Sequence, residues 1–597
     1  MRHRRRDESP ATADVTDYIA HYKLHPAQFL PACSPSSLYT STCDRCCSQG
    51  SSYIVDTTSK ILGEVDIISM SGGSETFSQR LVRLCVAPVY SQGVLVSPGQ
   101  LDVLRTAARS GAVIVMALTA SQHRGPISDS VLLTLALIRH GVGPPSLIIV
   151  KDLLTWNYWA LSGLGIEAIK DGQSDLSKII SKGGIIMTEN TSVTVRTLID
   201  KCKDRNILVV PTSVSHDLCH RSLLGHRARL DVGRPMSVTE MIRGRDSGLA
   251  RVVTHCDIIG RRQAGVTPSQ LVSFAVQTEF LNLKRKQELT VKDLSRAVSE
   301  LIPLLEIRGA RMSFSGEIED VIMWAVNRMG GHISSEKVSL EYDDEFLSRA
   351  DGLETYFLFD FAVSVGVFTG LKTRVLTSRT GSRSRRQSVT VGHQEVVDTA
   401  LNVLQFLDED RVSLLPCEDL TQGVMEAMFR AETSGSLMTV TEERRSQYEA
   451  EMSERRRYDW RHGDEEDGGY DDMTEDTRMV VGHTQEGRDW LDWTAGIMRH
   501  RLTNLYITLL ILYNNVNTEI FIITELEAMV KEKVEKKRKE GWKESCRVGV
   551  STTTRKSITA LASLGFVHII HKEEICLVHV TRHQEIAEMI QVVLEFG

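Results

Sequence analysis

At 597 residues, with 42% hydrophobic and 25% charged side chains, the chain has an ordinary globular composition and is long enough for several domains. Its net charge of −7 excludes a general nucleic-acid binder, although not a local basic face. Eleven cysteines scattered from Cys33 to Cys576, with no secretory signal ahead of them, point to reduced thiols in a cytosol-facing protein.

Residues 1–74 are rich in Ser, Thr, Cys and Pro, lack a sustained period and read as loop or disorder. Within them Cys43, Cys46 and Cys47 have metal-like spacing. A zinc site needs further ligands, and only Cys33, His21 or His25 is near enough in sequence, so the expectation is free or partner-facing thiols and no metal. The opening MRHRRR is followed at once by Asp7 and Glu8, which fits neither a secretory nor a transit peptide.

An apolar stripe from Glu75 to Val86 predicts a helix, and Pro98 opens a second one that Gly111 stops. Short β-branched runs then alternate with segments of helical period: Ala112 to Leu118, Leu147 to Val150, Gly184 to Met187, Ile207 to Val210 and Ala228 to Val232 read as strands. Strands and helices in alternation over 75–245 define an α/β domain, a mixed sheet flanked by helices. Ser237 is placed to cap the next helix. Residues 246–440 are mostly helical, and 441–485 form a mixed acidic and basic linker with too little apolar surface to order itself. The last unit, 486–597, carries a helix near Trp490 to Tyr513, a charged helix at Glu525 to Gly541, a helix ending at Gly565 and two strands meeting across His571 to Glu574. That helix followed by a wing is a shape shared by DNA binders and protein-contact modules.

Chemistry is expected at the strand ends. The first strand of the α/β domain empties into a loop holding His123 and Arg124, with Asp129 ahead of the apolar helix SVLLTLALIRHG. A histidine base steadied by a carboxylate is the arrangement acyl transfer requires: a hydroxyl must lose its proton as it attacks, and the imidazole needs an acceptor for its other nitrogen. Each residue also has a plainer reading: His123 as a polar loop residue, Asp129 as a helix cap, Glu189 as a solvated strand-end acid and Pro211 as a strand terminator.

Four blocks in this order resemble the glycerol-3-phosphate acyltransferase family and its mitochondrial branch, nearest the divergent second mitochondrial form. The first block has five residues between His123 and Asp129 where the family has four, so that Arg124 occupies the family's histidine spacing; deleting Gly125 restores it. The second runs Leu164 to Asp171 with Gly165 and Lys170, the third Glu189 to Val193 without the family's arginine, and the fourth Val210 to Asp217 with its proline at Pro211. Flanking stretches such as DVGRPMSVTEM and FSGEIEDVIMWAV extend the resemblance from about residue 45 onward. The resemblance implies an acyltransferase-type α/β fold and transfer from acyl-CoA to glycerol 3-phosphate, giving 1-acylglycerol 3-phosphate, with no cofactor beyond the acyl-CoA co-substrate. His123 and Asp129 would be catalytic; Arg124, Gly165, Lys170, Glu189, Thr191, Arg196 and Pro211 would bind substrate. It also implies residence on the cytosolic side of the mitochondrial outer membrane, with membrane lipids as partners and no nucleic acid. The rival reading is a scaffold that kept the fold and lost the reaction. Tyr356 to Leu371 and Leu502 to Tyr513 are the apolar stretches expected to attach the chain to a membrane as interfacial helices.

Overall fold

A computed structural model describes the chain except for residues 1–64, 69–75, 97, 110, 120–124, 151–154, 171–183, 190, 202–206, 220–221, 223, 234, 239–247, 282–288, 315, 335, 351, 379–389, 408–419, 441–477, 482–484, 516–517, 541–547, 573–574 and 597. The cysteine cluster at 43–47 and the basic amino end lie outside the described residues, as does most of the linker.

The chain divides into two compact units: 1–280 with 284–356 and 412–418, and 281–283 with 357–411 and 419–597. In the first, strands β1 (Val65–Asp66), β2 (Val94–Val96), β3 (Val113–Leu118), β4 (Leu147–Val150), β5 (Ala168–Lys170), β6 (Gly184–Thr188), β7 (Ile207–Asp217) and β8 (Arg227–Val232) form one sheet in the order β1-β2-β8-β7-β3-β6-β4-β5. Strand β9 (Met236–Ser237) pairs with β7. β7, β3, β6, β4 and β5 run parallel, while β8 is antiparallel to β7. The expected mixed sheet flanked by helices is therefore present. Ser237 sits opposite Leu208 in the β9–β7 pair and immediately precedes the helical Val238, and the helix it was expected to cap lies outside the described residues.

Alternation along the strands sorts the core into two layers, because successive side chains leave opposite faces. Ile114, Met116, Met187, Leu208, Val210 and Val214 pack with helices α1 (Phe77–Val89), α2 (Pro98–Arg109), α3 (Asp129–Arg139) and α4 (Thr155–Gly163). Val113, Val115, Ala117, Ile186, Ile207 and Val209 pack with α5 (Thr191–Lys201) and α6 (Gly248–Gln263). With both faces covered, the parallel strands can be apolar throughout, and all six residues of β3 are buried.

Helices α7 (Pro268–Ala275), α8 (Val291–Ile307), α9 (Ile318–Arg328) and α10 (Asp344–Arg349) and the antiparallel pair β10 (His332–Ser334) and β11 (Lys337–Ser339) belong to this same unit, so it continues well past the boundary expected near 245. The reason is the length of β7: its last residues pair only with β8 beyond the end of β3, and polar side chains there are buried by α7 and α9.

In the second unit, α11 (Leu358–Ser378) packs with α12 (His393–Phe406), α13 (Leu420–Thr433) and α14 (Gln485–Ile497). Strands β12 (Thr390–Gly392), β13 (Leu437–Val440) and β14 (Arg478–Val481) join in the order β12-β14-β13, so the end of the expected linker returns as an ordered central strand. Next come α15 (Arg499–Asn514), β15 (Ile520–Ile522), α16 (Ile523–Lys539), α17 (Ser551–Ser563), β16 (Val567–Lys572), β17 (Ile575–Val580) and α18 (His583–Phe596), with strand order β15-β17-β16. This is the helix-and-wing arrangement anticipated. Arg555 of α17 is paired with Glu527 at 2.5 Å.

Both stretches expected to attach to a membrane are instead packed inside the protein. Among the described residues one helical stretch, Glu354–Lys372, is long and apolar enough to cross a membrane, but it is mostly buried. Its Asp360, buried at 4% exposure, is held by Arg430 through two hydrogen bonds. α15 buries most of its residues, including His500, Arg501 and Asn504 with Leu502, Leu505 and Leu509, and leaves a narrow, partly exposed stripe at Thr503, Tyr506, Leu510 and Tyr513. A helix so largely enclosed by protein offers little apolar face to lipid.

Candidate active site

The carboxyl ends of parallel strands are where an α/β sheet places chemistry, because helix amino ends and connecting loops gather there. Register aligns Pro211 with Ala117, Ala117 with Thr188, Thr188 with Ile149 and Ile149 with Ile169. One residue further on, this edge carries Lys170 at the end of β5, Glu189 after β6, and then Thr191 at the start of α5. Asp129 begins α3 after the β3 loop.

Asp129 is not a cap. The N-cap position belongs to Ser128, whose side chain makes no capping bond, and Asp129 turns Oδ1 to His216 Nε2 at 2.8 Å. The other ring nitrogen of His216, Nδ1, lies 3.2 Å from the Tyr90 hydroxyl. Burial, and after it the Asp129 charge, pushes the Tyr90 phenol far above its ordinary range, so it keeps its proton. A protonated phenol donates to Nδ1, which leaves the Nε2 proton to be donated to the carboxylate. The chain Tyr90 to His216 to Asp129 thus engages both ring nitrogens and fixes the orientation of the imidazole.

The sequence builds each part of this chain locally. Tyr90 follows α1, which a Thr76–Gln79 capping box starts, and its carbonyl accepts from Gly93 in the turn to β2. Period two along β7 puts His216 on the same face as Val210 and Val214, in the layer against α3. The His216 side chain is fully buried, whereas that of Asp129 is 24% exposed, so the aspartate is the open end. Gly125, which follows the His123–Arg124 pair, packs directly over this chain: a Cβ there would collide with the His216 ring and the Tyr90 hydroxyl. At this position the chain has space for a glycine alone.

His123 and Arg124 lie outside the described residues. Among the described residues the partner of Asp129 is His216, which the sequence reading carried only within the fourth block, Val210 to Asp217, with no role assigned to it. The signal available was a histidine in phase with buried valines on a long strand. Tyr90, in a turn between a helix and a strand, carried none.

The other expected residues are spread out. Glu189 is exposed and its backbone N–H reaches the Ile149 carbonyl. Thr191 opens α5, and Arg196 is exposed about 7.5 Å further along that helix axis. Lys170 ends the edge strand β5, three strands from β3, a separation of about 14 Å. Gly165 stands at the opposite edge, before β5 begins; its φ of 79° and its N–H bond to the Ser162 carbonyl make it the stop of α4. Pro211 sits where β7 exchanges partners, after the β9 pairing at Leu208 and Val209 and before the β8 pairing from Thr212. Its carbonyl accepts from Gly233, so its missing N–H faces the same gap and costs the sheet no bond.

The opposite face of the same arm is also polar. Asp217, 3% exposed, accepts from Ser269 Oγ at 2.5 Å and Trp324 Nε1 at 2.7 Å, while Arg328 donates to its backbone carbonyl at 3.0 Å. The Arg328 guanidinium also lies over the Trp324 ring, 5.0 Å from its centroid. A comparison with protein-family models finds no match to this chain, and one with curated proteins finds none either.

Proposed function

We propose that the protein is an acyl-CoA:glycerol-3-phosphate acyltransferase that makes 1-acylglycerol 3-phosphate. His123 takes the proton of the attacking glycerol hydroxyl as that oxygen bonds to the thioester carbonyl. The C–S bond then breaks, and the imidazolium returns the proton to the departing CoA thiolate. Asp129 orients the base through the oxygen it does not give to His216. Lys170, Glu189, Thr191 and Arg196 supply polar contacts at the strand ends, and Pro211 shapes the acyl-CoA side. The observation that supports this reading is the state of Asp129: a part-exposed carboxylate at the start of the helix that follows parallel strand β3, fixed from behind by His216 and open in front.

The scaffold reading draws on a different observation. The histidine that Asp129 demonstrably holds is buried with both ring nitrogens engaged, so it has no lone pair to offer a substrate. The two readings separate in one assay of the purified full chain with labelled glycerol 3-phosphate and a panel of acyl-CoA thioesters. Turnover that His123→Ala abolishes is the expected result; a wild-type rate equal to that of the variant leaves the scaffold.

A further inference from the structure

We propose that the outer face of α1 and α4 is a docking surface for an anionic phospholipid bilayer. α1 is two-sided: Val82 and Val86 are buried against the core, while Phe77, Leu81 and Leu84 are 82%, 39% and 54% exposed. Their spacing of four and then three residues lines them along one side of the helix. α4 lies beside it, since a Cβ on Gly163 would touch Val82 at 3.5 Å. From α4, Tyr158 and Trp159 are 52% and 45% exposed.

Five large apolar or aromatic side chains exposed on two adjoining helices are more than the scattered exposure a surface ordinarily carries. Their chemistry selects the occupant. Tyr and Trp, each with an apolar body and a polar tip, are the residues that settle at the level of lipid headgroups. The charge exposed here has one sign: Arg80 is exposed while Arg83 turns back to the Ile68 carbonyl, α1 has no acidic residue, and α4 carries no charged residue. A cationic, aromatic helix face lying flat complements an anionic headgroup layer above acyl chains. This surface replaces the two buried helices from which attachment was expected. It does not rest on the acyl-transfer reading, and vesicle binding is scored without turnover.

The test is flotation of the full-length protein with phosphatidylcholine vesicles that contain or lack phosphatidylserine. Wild type is expected to float with the anionic vesicles, and the Leu81→Glu/Leu84→Glu variant to bind at least about tenfold less, because charge replaces two side chains that would enter the interface. Arg80→Glu is expected to remove the preference for phosphatidylserine. Circular dichroism checks the fold of the double variant; if it is lost, Phe77→Ser, at the most exposed position, carries the same expectation. The proposal is overturned if the folded variants float like wild type, or if wild type floats with neither vesicle. It is equally overturned if the substitutions dissociate a wild-type dimer without changing flotation, which would give this face to a second copy of the chain.

Discussion

His216 and Asp217 are neighbours on β7, yet they serve opposite faces of the sheet and opposite purposes. On one face His216 links a buried phenol to an aspartate whose side chain remains 24% exposed. On the other, Asp217 is closed: a serine, an indole and an arginine take up both carboxylate oxygens and the backbone carbonyl. A polar network that ends at solvent can act on a ligand, whereas one satisfied internally can only hold elements together. Asp217 ties β7 to α7 and α9; the His216 chain positions a carboxylate.

The comparison breaks most sharply at its closed end. Asp217→Ala strands the Trp324 N–H, the Ser269 hydroxyl and the Arg328 charge in the interior, and is expected to destabilise the first unit by about 3–5 kcal/mol in urea unfolding. His216→Ala should cost less stability, about 1–3 kcal/mol, since Asp129 can rehydrate. Its larger effect is on turnover, a fall in kcat of about a hundredfold from a misplaced carboxylate, with KM little changed. Equal losses of stability from both substitutions, with turnover intact in the second, would erase the distinction.

Tyr90→Phe removes one donor from the same chain and should lower stability by about 1 kcal/mol, with a smaller fall in kcat than His216→Ala. His123→Ala should abolish transfer while moving the unfolding midpoint by an amount equivalent to less than about 0.5 kcal/mol, as for other loop positions away from the core. A stability loss as large as that of His216→Ala would assign His123 a packing role instead.

The smallest expected effect is a pH dependence remote from either network. Burial first, then the neighbouring Arg105, lowers the pKa of His140. As pH falls through about 6.5 the unfolded chain takes up that proton before the folded one does, so stability declines between the unfolded and the folded pKa and is unaffected above about pH 7.5. His140→Gln should flatten this part of the pH profile of the unfolding midpoint.

Much of the fold was legible because local patterns and tertiary packing agree. The run Leu147 to Val150 is a strand with the bounds anticipated, and Gly111 and Gly565 adopt the positive φ that ends a segment. Disagreement arose where a segment was judged by hydropathy alone. Tyr356 to Leu371 and Leu502 to Tyr513 are apolar enough to suggest a membrane, but apolarity does not distinguish lipid from a protein interior. β7 was anticipated to end at Val210 because Thr212, Ser213 and Ser215 dilute its apolar run; the strand continues to Asp217 because β8 supplies a ladder partner.

The sequence alone determined which stretches are strands and helices, since those follow from period and from glycine and proline placement. It also marked Asp129 as a carboxylate at a helix start. Only the tertiary structure decided what that carboxylate touches. His216 lies 87 residues after Asp129 in the chain and 126 after Tyr90, and no local pattern encodes a meeting made by strand order. The same holds for α1, whose stripe of Phe77, Leu81 and Leu84 predicted a helix. Which side of it would be buried depended on Val82 and Val86 finding the sheet layer first.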